Sequence, residues 1–296
     1  MPSVEPFQIR IADLRERFRP QREWAEGRGL LLITAHFLTG SGAGAWLVAL
    51  PLGLGAGLLV GFGLVLLGAL FHLLFLGHPE RFWRMITSVG TSWVSRGIVG
   101  MTLFLTSAAI YLLLAALELE RTPLARVIFL LSVLGALWVV VYKGFVWASS
   151  KGIPLWNTPL IPVLYIAYAL RGGAAALMLL AAASSAHAPL GFLEPVKLWL
   201  GVSTAVLVLI YIDVMRGSGM TALRSVNLML FGRVALPFYF GAVALGLIIP
   251  IGIGGFAYFD GLSPASLMLV GLLSLLGDFS IIYCIAKAGL YRPLPI

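Results

Sequence analysis

The chain has 296 residues, of which 60% are apolar and only 11% charged, with a net charge of +8. Soluble domains carry roughly a quarter charged residues, so the composition excludes a soluble globular protein and indicates an integral membrane protein. The single cysteine, Cys284, excludes a disulfide framework and cannot supply the thiolates of an iron–sulfur cluster or structural zinc site, and the positive balance reads as a topology signal rather than a nucleic-acid footprint.

Residues 1–28 form a polar arm rich in arginine and glutamate, without the apolar segment or cleavage site of a signal peptide. Residues 9–24 have the pattern of an interfacial amphipathic helix, weakened by nearly balanced charge and by Pro20. Apolar runs long enough to cross roughly 30 Å of hydrocarbon then recur at 29–50, 54–77, 97–118, 124–149, 160–183, 196–215, 234–254 and 264–287. The expected fold is all-α, a polytopic membrane protein whose eight transmembrane helices, within residues 29–289, make two four-helix-bundle-like halves, with a short tail at 290–296. The first turn, Pro51-Leu-Gly-Leu-Gly, is very tight, and Gly40-Ser-Gly-Ala-Gly44 has the small-residue spacing that permits close helix packing.

An even number of spans puts both termini on one side, together with the connections after the second, fourth and sixth spans. That face, side A, collects six arginines of the arm, Arg81, Arg84, Arg96, Lys143, Lys151, Arg216, Arg224, Arg233, Lys287 and Arg292, sixteen of the twenty basic residues. Side B keeps Arg121, Arg126 and Lys197, and Arg171 lies within the fifth span. The positive-inside rule makes side A cytoplasmic, giving an inner-membrane protein with both termini in the cytoplasm. A basic face that docks an acidic partner produces the same asymmetry, and both can hold.

At 1.5 Å per residue, His36 lies roughly 10 Å below side A, and Tyr142, on a helix that leaves near residue 149, lies at about the same depth, so the two can face one cavity. His72 and Asp213 also fall in the side A half, Asp278 sits deeper, and Arg171 is near mid-membrane. Ionisable groups are costly in hydrocarbon and mark sites by default; their bias to one face suits a pocket open to side A better than a through-channel. Plainer roles are open to each. His36 can bond a neighbouring backbone carbonyl, Lys143 can snorkel its amine to side A, and Arg171 can pair with Asp278 or Asp213. His36 and His72 could instead ligate one haem iron from opposite helices, and a secondary transporter is a further reading, although no internal repeat is evident.

Three segments carry a resemblance: His36-Phe-Leu-Thr-Gly-Ser-Gly-Ala-Gly-Ala in the first span; Leu76-Gly-His-Pro-Glu-Arg-Phe-Trp83 with Thr91-Ser-Trp-Val-Ser-Arg-Gly97 after the second; and Tyr142 with Pro154-Leu-Trp-Asn157 after the fourth. With the eight-span count, the protein resembles, over nearly its whole length, the polytopic anchor subunits of molybdenum-dependent respiratory enzymes, the NrfD/PsrC/DmsC superfamily. Leu-Gly-x-Pro-x-Arg is the most specific element.

The resemblance implies a quinone-reactive subunit rather than a complete enzyme. It would use menaquinone or ubiquinone, hold neither haem nor an iron–sulfur cluster itself, and work with a four-cluster ferredoxin-like iron–sulfur subunit and a molybdopterin catalytic subunit. His36 and Tyr142 match the quinone-binding histidine and tyrosine of polysulfide-reductase-type members; His72, Lys143, Asp213, Asp278 and Arg171 are further positions for quinone or a proton route. Arg81, Arg84, Arg96, Trp156, Asn157 and Arg224 would face the iron–sulfur partner on side A. Three positions depart from the pattern: Leu32 replaces the asparagine one turn before the histidine, and Phe75 and Gly97 replace the histidine and glutamate of the DMSO-reductase type. A cytoplasmic side A favours a sulfite-dehydrogenase-like arrangement over a periplasmic polysulfide reductase.

Overall fold

A computed structural model describes residues 18–183 and 190–293; Arg10, Arg15, Arg17 and the first part of the expected interfacial segment lie outside these residues. The helices are α1 (Gly29–Leu52), α2 (Gly55–Phe75), α3 (Trp93–Ala116), α4 (Pro123–Ala148), α5 (Leu160–Ala183), α6 (Leu190–Gly217), a short α7 (Met220–Leu230), α8 (Pro237–Phe256) and α9 (Pro264–Lys287). All except α7 are long and apolar enough to cross a membrane, which gives the eight spans. The first twelve residues of α8, Pro237–Ile248, wind as a π-helix. Among the described residues the remaining regular structure is a 3₁₀ segment, Pro79–Ser88, and one isolated antiparallel bridge between Pro20 and Leu290.

Local chemistry explains the helix ends. The hydroxyls of Thr122 and Ser263 accept from the backbone N–H groups of Ala125 and Ser266, and Pro123 and Pro264 follow in the first turn, where a missing N–H is harmless. Gly53, at φ 62°, closes α1 with its N–H directed to Ala49 and Leu50 carbonyls, so α2 begins at once. Two starts differ from the sequence expectation. The third span begins at Trp93 because Ser92 caps it by accepting from Ser95 N–H. The sixth begins at Leu190 and runs through Pro195, which reads as a boundary in sequence but is accommodated within a membrane helix. Lys197 therefore lies inside the bundle, donating to Ser274 Oγ at 2.8 Å.

The helices form two four-helix halves, α1 to α4 and α5, α6, α8 and α9, joined where α1 packs on α5. These two central helices are the most buried of the eight. Lipid offers little hydrophobic force between helices, so close contact rests on small residues. A Cβ at Gly44 would stand 1.8 Å from Ala169 O, and one at Gly173 would stand 2.2 Å from Gly44 C. Gly277 and Gly246 likewise bring α9 onto α8.

The second half contains a buried ion pair. Arg171 Nε donates to Asp278 Oδ1 at 2.7 Å, Nη2 donates to the same oxygen, and Nη1 reaches Gly246 O at 3.1 Å. Of the two carboxylates open to Arg171 on sequence, the one on α9 is chosen. Asp213 is exposed on α6 because Tyr211 and Met215 fix the inward face of that helix.

The N- and C-terminal segments of the described residues meet on side A. Gln21 N–H donates to Gly289 O at 2.9 Å and Tyr291 N–H to Arg19 O at 2.8 Å. Glu26 accepts from Lys287 Nζ at 2.7 Å, and Arg28 Nη2 donates to the carbonyls of Leu74 and Leu76 at the end of α2.

Candidate functional site

A cavity of about 330 Å³ lies within the first half, bordered by Leu32 and His36 on α1, His72 on α2, Val94 and Met101 on α3, and Tyr142 and Val146 on α4. Trp24 and, from the 3₁₀ segment, Phe82 and Met85 complete its side A end. Most of the lining is apolar, with two imidazoles and one phenol as its principal polar groups. That volume falls at the lower end of the range of small-molecule sites.

His36 is held from behind. Trp147 Nε1 donates to His36 Nδ1 at 2.9 Å; an indole N–H can only donate, so His36 carries its proton on Nε2. The His36 ring lies 5.3 Å from that of His72, tilted by 37°. His72 Nδ1 is 3.0 Å from Gly68 O, a pure acceptor, which puts the His72 proton on Nδ1. With its Nε2 protonated, His36 has no lone pair left for an iron, which counts against the bis-histidine haem reading.

Tyr142 enters through a gap in α3. A Cβ at Gly97 would stand 2.2 Å from Tyr142 Cε2, so the position where the DMSO-reductase type has a glutamate instead gives its space to the phenol ring. The Tyr142 side chain is 4% exposed and has no protein hydrogen bond to its hydroxyl among those of the described residues.

Lys143 corrects an expectation. Its amine does not snorkel to side A but turns inward, donating to His36 O at 3.2 Å with the side chain fully buried. Trp147, one turn nearer side A on the same face, fills the outward path, while Gly40 leaves room for the amine on α1. Lys143 and His36 border a second, much smaller cavity with Tyr165, Tyr168 and Asp278, with space for about one water. Tyr165 Oη and Asp278 Oδ2 make no hydrogen bond there. Asp213, by contrast, lies on the exposed face of α6 and joins neither cavity.

The expected docking residues separate into two groups. Arg81 and Arg84 are exposed on the 3₁₀ segment, and exposed Arg224 lies over the Phe18 ring at 4.4 Å. Arg96 is committed to its own loop, donating to Val89 O at 2.9 Å and Gly90 O at 2.7 Å while stacking on Trp93. Trp156 is no surface residue. It is buried with Nε1 donating to Ile285 O at 2.8 Å, because Gly289 leaves space for its indole. Asn157 is exposed and uses its side-chain amide to cap α4 at Ala148 O.

Sequence reasoning gave no role to Trp24 or Trp147. The Trp147 ring lies 4.2 Å from Trp156 and 5.5 Å from Trp24, and Trp24 stacks on Trp156 at 5.8 Å. The available signal was spacing: Trp147 is four residues after Lys143 and must share its helix face. Among the described residues no three histidine, cysteine, aspartate or glutamate side chains converge as a metal site.

A family model described as "Polysulphide reductase, NrfD" matches residues 28–293. The C subunit of polysulfide reductase from Wolinella succinogenes is 25% identical over 257 residues, covering 79% of each of the two proteins. Protein NrfD of Escherichia coli is 28% identical over 139 residues, 40% of the present sequence and 44% of that protein.

Proposed function

From the premise that this chain belongs to the polysulphide reductase, NrfD family, we propose that it is the membrane anchor of a multi-subunit molybdenum and iron–sulfur oxidoreductase, and that it binds a quinone in the cavity of its first half. The observation that carries this reading is an apolar cavity with two imidazoles and a phenol roughly 10 Å below side A. The residue chemistry fits an aromatic ring bearing two oxygens. His36 Nε2–H is a donor for one ring oxygen and Tyr142 Oη can donate to or accept from an oxygen, while Leu32, Ile98, Met101 and Leu105 surround the ring with hydrocarbon. A quinone supplies two-electron, two-proton chemistry when bound. The protein's residues orient it, exclude water and exchange its protons.

The electrons need carriers outside this subunit, and the short path runs to side A. A ferredoxin-like iron–sulfur subunit placed there would meet Arg81, Arg84 and Arg224, with a molybdopterin subunit beyond it. The smaller cavity, bordered by His36, Lys143 and Asp278, is a space for about one water behind the head-group site. With side A cytoplasmic, both partners are cytoplasmic. A reporter fused after Ile296 is then expected to be active in the cytoplasm, and activity confined to the periplasm reverses the orientation.

The main test is turnover of the assembled complex with quinol. His36→Ala is expected to lower it by about 10²-fold or more, the scale of losing a positioned hydrogen-bond donor to a reacting oxygen. Tyr142→Phe, which keeps the ring and loses one hydrogen bond, is expected to lower it about tenfold. Unchanged turnover and inhibitor affinity in both variants refutes the assignment.

A further inference from the structure

The two histidines on the cavity present opposite chemistry. Trp147 forces the His36 proton onto Nε2, and Gly68 O holds the His72 proton on Nδ1, so the free nitrogen of His36 is a donor and that of His72 an acceptor. A carbonyl oxygen can use only the first. A hydroxyl can use both, accepting from His36 and donating to His72. Two nitrogens that share one oxygen at about 2.8 Å each stand no more than about 5.6 Å apart. The ring centres themselves stand 5.3 Å apart, and both rings border the cavity.

We infer that His72 is the proton acceptor for a hydroxyl of the bound head group, taking up its proton as quinol is oxidised. This rests on the quinone reading above. In the step assigned to His72, the head-group O–H bond breaks and an N–H bond forms at Nε2. Conversion to the quinone releases two electrons and two protons. The electrons pass to the one-electron iron–sulfur carriers of the partner, His72 takes one proton, and the other leaves the second hydroxyl for water at the side A mouth. Once His72 has passed that proton on, its Nε2 faces a largely apolar cavity and a quinone carbonyl that cannot donate to it, an unfavourable arrangement for a buried acceptor. Product release is thereby favoured over product retention. His36 cannot exchange roles with His72 without breaking its bond from Trp147, whose indole is itself enclosed by Trp24, Trp156 and Tyr165.

The test is binding, measured without turnover. Tryptophan fluorescence of the purified complex, containing the full-length subunit, is titrated under anaerobic conditions with menadione and with its hydroquinone, menadiol. Trp24 borders the cavity and Trp147 touches His36, so occupancy is reported at the site. The wild type is expected to bind menadiol about tenfold more tightly than menadione, equivalent to ~1.4 kcal/mol. His72→Phe is expected to bring that ratio close to one. His72→Gln, which restores an acceptor oxygen without a base, is expected to keep the preference for menadiol and still lose quinol turnover. Equal affinity of the wild type for both forms, or a preference that survives His72→Phe in protein that melts like the wild type, overturns the His72 assignment while leaving the quinone reading standing. Failure of the wild type to bind either form removes both.

Discussion

Arg171→Met is expected to cost the folded protein about 3–5 kcal/mol, the scale seen when one partner of a buried ion pair is removed. The loss comes less from the missing bonds than from what remains. Asp278 is fully buried on α9, one of its oxygens already lacks a partner, and the guanidinium supplies the bonds to the other. Lys197, bonded to Ser274 one turn before Asp278, provides a residual positive field, which places the expected loss towards the lower part of that range. Arg171→Met combined with Asp278→Leu should recover most of the stability, because no uncompensated charge is left in the bundle. Unfolding of the detergent-purified variants measures both numbers. A single substitution that costs less than about 1 kcal/mol would show that the pair is solvated in the native state.

Gly97→Ala, the addition of one methyl group, is expected to lower quinol turnover more than Tyr142→Phe does. The new Cβ would stand 2.2 Å from Tyr142 Cε2 and 2.3 Å from Cδ2, so the ring must leave its place on the cavity wall. Its retreat is restricted. One turn along α3, Gly100 makes the same close contact with Trp138, whose Nε1 donates to Arg96 O at 2.9 Å, so α4 cannot slide as a unit. Overpacking of this kind costs about 1–3 kcal/mol. Adding Tyr142→Ala to Gly97→Ala should relieve the clash and restore stability without restoring turnover. That split distinguishes a misplaced phenol from a generally damaged interface. If Gly97→Ala alone retains wild-type turnover, the ring position is not important to the chemistry.

How far the site could be read from the sequence follows from what helical arithmetic measures. Counting residues from a membrane face gives depth, and His36, His72 and Tyr142 sit on regular helices, so their common level could be read before the cavity they border was seen. Depth gives no rotation about the helix axis, and for that reason Asp213, at a similar level, faces outward on α6. Lys143 failed differently. Snorkelling is the default for a lysine near an interface, but it requires an open path, and only the packed structure reveals Trp147 in that path. Gly97 read as a missing carboxylate until the ring of Tyr142 occupied its space. The eight spans were legible because apolar length is a strong signal, while α7 and the 3₁₀ segment over Pro79–Ser88 read only as loops because they are short and polar on one face.

The contact between the N- and C-terminal segments bears on how the protein is made. Trp24, which walls the cavity, belongs to a segment tied by backbone bonds to Gly289 and Tyr291, residues translated after all eight spans. The four helices that surround the cavity precede that distal segment in the sequence, and the backbone bonds that pin residues 19–21 cannot form before it is made. In a nascent polypeptide both histidines are therefore made before the bonds that hold the Trp24 segment can form. The full wall of the cavity, Trp24 included, is secured by bonds that only the finished C-terminal segment supplies.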